Sequence, residues 1–188
     1  MVSKKEARSK LHLEDNNFVY LSFGAVRAYK GLEKLILSFS EIDLPDIRLI
    51  IAGKPLHQEY ASKIKTITGK DRRIFLYLEF IPEDEVQYFL NAADIVVLPY
   101  QDILTSGAAI LALSFGKGVI APAIGCLPEL INEKNGLLYN SQKDSLKEIL
   151  LKAKKISEKV KFEKGVLETV NDLGWDKVAL EYKKILSL

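Results

Sequence analysis

Short, nearly unbroken apolar runs that stop at glycine or proline constrain this chain most. They fall at 18–23 (FVYLSF), 47–52 (IRLIIA), 73–80 (RIFLYLEF), 95–98 (IVVL), 119–121 (VIA) and 136–139 (GLLY). Each predicts a strand. Stretches of helical period separate most of them. Leu32, Leu35, Ile36 and Phe39 follow the first strand, and Tyr60, Ile64 and Ile67 mark a helix over 58–68. Pro82 opens a helix whose first turn, Glu83-Asp84-Glu85, is acidic as the helix dipole favours. Further helices are predicted over 107–115, 128–131, 141–160, 162–170 and 175–188, the last two split at 172–174. Ser3 and Glu6 have capping-box spacing, which predicts a short helix over 3–11.

Strands buried on both faces and alternating with helices specify a parallel sheet with helices on either side. The expected fold is therefore α/β, a doubly wound, six-stranded, mostly parallel Rossmann-like sheet with extra C-terminal helices. Residues 1–14 read as a linker or helix. Residues 15–188 read as one domain that includes the C-terminal helices at 145–188.

The composition narrows the function classes. With 188 residues and a formal net charge of +2, the chain has too little excess charge to argue for nucleic acid. The Lys152-Ala153-Lys154-Lys155 run reads as a solvated helix face. The lone Cys126 rules out an internal disulfide framework and fits a reducing compartment. No apolar run reaches the ~18 residues of a membrane span, so stable membrane insertion is not expected. His12 and His57 are too far apart in sequence to suggest a metal pair, and no metal is expected. A dinucleotide fingerprint and a P-loop are both missing.

In doubly wound sheets ligands bind beyond the C-terminal strand ends. Two loops there carry suitable chemistry. The first, 24–31, is GAVRAYKG and offers Arg27 and Lys30. A guanidinium makes a planar fork to phosphate and an ammonium a point charge, so together they suit a diphosphate. The second, 99–106, leads into a helix at Thr105-Ser106-Gly107. A helix start presents unpaired amides and the positive dipole end, with added hydroxyl donors here.

The order of motifs resembles the group 1 (family 4) glycosyltransferases. The run is G-x-x-R-x-x-K-G from Gly24, a strand into Ala52-Gly53, then Ala92-Ala93-Asp94-Ile95-Val96-Val97-Leu98-Pro99. Phe115-Gly116-x-x-Val119-Ile120-Ala121, Gly125-x-x-Pro128-Glu129-Leu130-Ile131 and Asn135-Gly136-Leu137-Leu138 complete it. The resemblance covers about residues 18–144, and Trp175-Asp176 looks like the family's closing segment.

The resemblance implies the C-terminal, donor-binding domain of a GT-B enzyme: a retaining transferase that moves a sugar from a UDP- or GDP-linked donor to a glycan or lipid-linked acceptor. No metal or other cofactor is required in that reading. Arg27 and Lys30 would act catalytically by stabilising the leaving diphosphate. Gly24 belongs to the same loop. Backbone N–H groups of Ser106 and Gly107, beside Thr105, would bind the distal phosphate, and Phe80 and Ile81 would flank the nucleobase. Lys54 would face the donor or solvent, Asp102 would approach the sugar hydroxyls, and Glu129 would either contact the ligand or cap its short helix. The implied partner is the enzyme's N-terminal acceptor domain. The implied location is cytoplasmic, or peripheral at the inner membrane face. The alternative is a non-catalytic nucleotide- or partner-binding module of the same fold. Exposed apolar surface at the strand ends would favour a second domain, and a polar face the module.

One departure stands out. Many relatives carry Glu-x7-Glu across the loop and helix at 99–115, where this chain holds Ile103 and Leu111. Either Thr-Ser-Gly replaces the first acidic element, or donor binding is impaired. Asp94 reads as a turn and capping residue.

Overall fold

The computed structural model describes residues 2–157, 162–172 and 174–186. Six parallel strands form one sheet in the order β3-β2-β1-β4-β5-β6. They are β1 (Phe18–Phe23), β2 (Ile47–Ala52), β3 (Ile74–Tyr77), β4 (Ile95–Val97), β5 (Gly118–Pro122) and β6 (Gly136–Tyr139). The helices are α1 (Lys4–Lys10), α2 (Leu32–Ser40), α3 (Gln58–Thr68), α4 (Glu83–Ala92), α5 (Gly107–Ser114), α6 (Leu127–Leu130), α7 (Leu146–Ser157), α8 (Glu163–Asp172) and α9 (Trp175–Leu186). The predicted doubly wound α/β architecture is the observed one, and the sheet is parallel throughout.

Helices cover both faces: α2 packs on α3 and α7, while α4 packs on α1 and α5 on α8. Strands β1, β2, β4 and β5 are buried almost entirely because both faces are covered. Tyr20, at the centre of β1, is fully buried and donates its hydroxyl to Leu150 O at 2.8 Å, which fixes α7 against the sheet.

At the N-terminal end of the sheet, Asp94 joins three elements. Its carboxylate accepts from the Val19 amide at 2.7 Å, Arg8 Nη2 at 2.8 Å and Lys4 Nζ at 2.5 Å. Ser3 Oγ accepts from the Glu6 amide at 3.2 Å, so the expected cap starts α1. Ala7 and Leu11 bury the inner face of that segment against the core.

Several boundaries differ from expectation. Strand β3 stops at Tyr77 rather than 80. It is an edge strand, and its partner β2 ends at Ala52, where the Gly53 amide reaches back to Tyr77 O at 2.9 Å. Helix α7 begins five residues later than expected. Asp144 Oδ2 accepts the Asn140 amide at 2.6 Å and Asn140 Oδ1 accepts that of Gln142 at 3.0 Å, a turn that holds 140–144 out of the helix. Lys154, expected to be solvated, pairs with Asp46 at 3.1 Å and lies 5.7 Å from the Phe18 ring centroid. The expected helix segments at 158–160 and 187–188, and Leu173 between the last two helices, lie outside the described residues.

Candidate functional site

The chain reverses its winding direction between β1 and β4, which are neighbours although β2 and β3 separate them in sequence. A sheet of this kind opens a crevice at that point, beyond the carboxyl ends of the strands. The two loops that leave there are 24–31 and 99–106, the two singled out by their chemistry.

Backbone contacts brace them. Gly31 has φ +67°, and a Cβ there would stand 2.0 Å from Pro99 O, so only glycine allows the approach of the two loops. The Gln101 amide donates to Tyr29 O at 2.7 Å. On one side the Val26 amide donates to Lys54 O at 2.9 Å, and the Leu56 amide to Val26 O at 3.1 Å. On the other the Cys126 amide donates to Leu104 O at 3.1 Å. Four strand-end loops thus form one frame.

The two cations differ in setting. Arg27 is exposed at the start of the 3-10 turn Ala28–Lys30. Lys30 is only 9% exposed. Its ammonium contacts Phe23 O at 3.5 Å and lies 5.8 Å from the Tyr100 ring centroid. A Cβ at Gly24 would stand 2.9 Å from it, so the loop leaves just enough room for the lysine head. Burial, and then the nearby Arg27 charge, lower the Lys30 pKa to about 8. Among the described residues Lys30 has no carboxylate partner.

Ser106 is buried and serves as the N-cap of α5. Its Oγ accepts from the Ala109 amide at 3.2 Å and lies 3.1 Å from Tyr100 Oη. The hydroxyl expected to face a ligand is therefore engaged within the chain. What stays open is the backbone: among the described residues no acceptor meets the amides of Gly107 or Ala108, and a Cβ at Gly107 would meet nothing within 4 Å. Thr105 and Asp102 are exposed on the same loop.

The remaining candidates are more dispersed. Phe80 and Ile81 line a separate cleft beyond β3. Lys54 and Glu129 are exposed on neighbouring loops, and no hydrogen bond or ion pair among the described residues joins either side chain to Lys30 or Ser106. Ile103 and Leu111 pack against the core. Tyr100 was missed in the sequence, although an aromatic residue directly after a strand-ending proline is an available signal. Leu56, Phe80 and Leu104 leave apolar surface exposed on three strand-end loops, Leu104 to 81%. No described helix is long and apolar enough to cross a membrane, and no described group of three or more His, Cys, Asp or Glu residues could hold a metal ion.

Comparison with known proteins gives consistent matches. A family model described as glycosyl transferases group 1 matches residues 3–163. The GDP-mannose:glycolipid 4-beta-D-mannosyltransferase of Xanthomonas campestris is 34% identical over 102 residues, covering 54% of this chain and 29% of that protein. A D-inositol 3-phosphate glycosyltransferase of Mycobacterium sp. (strain KMS) is 28% identical over 132 residues, 68% of this chain and 29% of that protein. The chain therefore spans under a third of these curated relatives. Among solved structures, sucrose-phosphate synthase from Thermosynechococcus elongatus superposes with a TM-score of 0.78 at 24% identity, over 99% of this chain and 50% of that one. Anabaena HepE in complex with UDP superposes with a TM-score of 0.80 at 22% identity, over 98% of this chain and 52% of that one.

Proposed function

The chain belongs to the group 1 glycosyl transferases, and from that membership we propose that it is the donor-binding half of an enzyme that transfers sugar from a nucleotide diphosphate. The acceptor is a glycan or lipid-linked, and a second domain supplies its site. Residues 15–188 form the donor domain and 1–14 lead into it. The donor diphosphate lies between Arg27, Lys30 and the amides of Gly107 and Ala108, with Thr105 and Asp102 toward the sugar and Phe80 and Ile81 toward the base. Lys54 and Glu129 flank this site from the neighbouring loops. The work is done on the cytoplasmic side, peripherally where the acceptor is lipid-linked.

One observation carries this reading. Lys30 is a buried cation beside a second cation, without a carboxylate partner among the described residues, in the crevice where a helix opens its amides. Such a cluster favours an anion with oxygens for several donors at once. As the glycosidic bond breaks, negative charge develops on the leaving diphosphate, and the same donors bind that charge more strongly than the ground state. The apolar surface at Leu56, Phe80 and Leu104 supports a second domain over a free-standing module.

The expected stereochemical outcome is retention. A second reading, inversion, draws on the relative named as a 4-beta-D-mannosyltransferase using GDP-mannose, together with Ile103 and Leu111 where two glutamates are often found. A β-linked product from an α-linked sugar nucleotide requires inversion. The anomeric configuration of the product, read by NMR, decides between the two.

Calorimetric titration with UDP, GDP and ADP tests the donor site. At least one should bind, and the Arg27→Ala, Lys30→Ala double variant should lose most of that binding. Undiminished affinity in the double variant overturns the diphosphate assignment.

A further inference from the structure

Building on the donor-binding reading, we propose that the cleft beyond β3 is a guanine pocket in which Glu79 reads the base, so that the donor is a guanosine diphosphate sugar. The cleft encloses about 350 Å³, room for a purine, between the ends of α1, β3 and α4. Tyr77, Phe80, Ile81 and Tyr88 supply its apolar walls. The Phe80 ring is 69% exposed, a platform on which a planar base can stack.

Its polar groups divide sharply. Lys10 and Glu85 satisfy each other at 2.9 Å, and the lysine also sits 4.1 Å over the Tyr88 ring. Glu79, the other carboxylate lining the cleft, has no hydrogen bond or ion pair among the described residues. An ionised carboxylate is acceptor-only and offers two oxygens side by side. Guanine presents two adjacent donors, N1–H and the 2-amino group, which match them. Uracil has one N–H between two carbonyls, and adenine sets the N1 acceptor beside its amino group. Both place lone pairs against the carboxylate.

The spacing agrees with one ligand spanning both places. β2 separates β3 from β1, so the two strand ends lie about 10 Å apart. That is the span of a nucleotide extended from base to diphosphate.

The test is calorimetry on the chain with GDP, IDP, UDP and ADP, for wild type and Glu79→Gln. Wild type should bind GDP about 10- to 100-fold more tightly than UDP or ADP, with IDP, which lacks the 2-amino group, between them. The Glu79→Gln variant should weaken GDP by a similar factor and leave UDP within about twofold, because this exposed side chain has no partner among the described residues. GDP no tighter than UDP, or an equal loss for both in the variant, overturns the guanine pocket and leaves the diphosphate site standing. If none of the four nucleotides binds, both are overturned.

Discussion

Tyr100 Oη lies 3.1 Å from Ser106 Oγ, and both side chains are buried. One residue thereby touches both halves of the proposed phosphate site: its hydroxyl holds the cap of α5, and its ring lies under the Lys30 ammonium. Burial raises the phenol pKa, so the hydroxyl keeps its proton. Tyr100→Phe keeps the ring and removes the bond. It should cost about 1 kcal/mol of stability, as should Ser106→Ala through loss of the cap. Urea denaturation should find the double variant less damaged than the two losses added, because they share one interaction. Additive losses would show that the hydroxyls act separately.

The fold was legible because burial on both faces writes each strand as an apolar run, and because loop glycines and prolines punctuate it. The end of β3 was not legible: Leu78-Glu79-Phe80 continue the alternating pattern, and only the length of the neighbouring strand ends the ladder. For the candidate site, the residue chemistry of the two loops was legible but their burial was not. Arg27 and Lys30 look alike in the sequence, yet one is exposed and the other enclosed by Tyr100 and the Gly24 backbone. Ser106 read correctly as a helix start. Its hydroxyl's engagement by Tyr100 depends on a tertiary contact that local pattern does not encode.

Lys30 should make both stability and donor affinity depend on pH, with opposite signs. Its folded pKa is about 8 against an ordinary 10.5. Below pH 8 the group is charged in the folded and unfolded chain alike, and the cost of burying that charge is present in full. Between about 8 and 10.5 the unfolded chain holds more protons, so this contribution to stability rises with pH. A bound diphosphate favours the charged lysine, so binding above pH 8 takes up a proton and affinity falls by up to about tenfold per pH unit. Calorimetry between pH 7 and 9 should record that fall, and Lys30→Arg, which stays charged, should flatten it. An equal slope in the variant would assign the dependence to another group.

Two glycines of the site should respond oppositely to alanine. At Gly107 a Cβ meets nothing, so Gly107→Ala should keep or slightly raise thermal stability. Its methyl group nevertheless adds bulk at the residue that bears one of the open amides and should weaken nucleoside diphosphate binding by about tenfold, or 1.4 kcal/mol. At Gly31 the left-handed backbone costs an L-residue about 1–2 kcal/mol, before the overlap with Pro99 O is counted. Gly31→Ala should therefore unfold at markedly lower temperature. Full donor affinity in Gly107→Ala would move the phosphate away from the start of α5.

Asp94 should govern stability and leave donor binding intact. It sits at the N-terminal end of β4, the opposite end of the sheet from the crevice, and joins Arg8, Lys4 and the Val19 amide. Arg8 is 3% exposed, and its remaining bonds go to the carbonyls of Ala92 and Asp15. Asp94→Ala leaves that guanidinium buried without a counter-charge, a change worth about 3–5 kcal/mol in comparable pairs. Asp94→Asn keeps an acceptor for the Val19 amide and should lose less. Lys4 is half exposed, so its bond to Asp94 adds little. Denaturant titration should rank wild type above Asn and Asn above Ala, while the variants that remain folded bind nucleoside diphosphate as wild type does. A loss of affinity that exceeds the loss of folded protein would give Asp94 a role in the site itself.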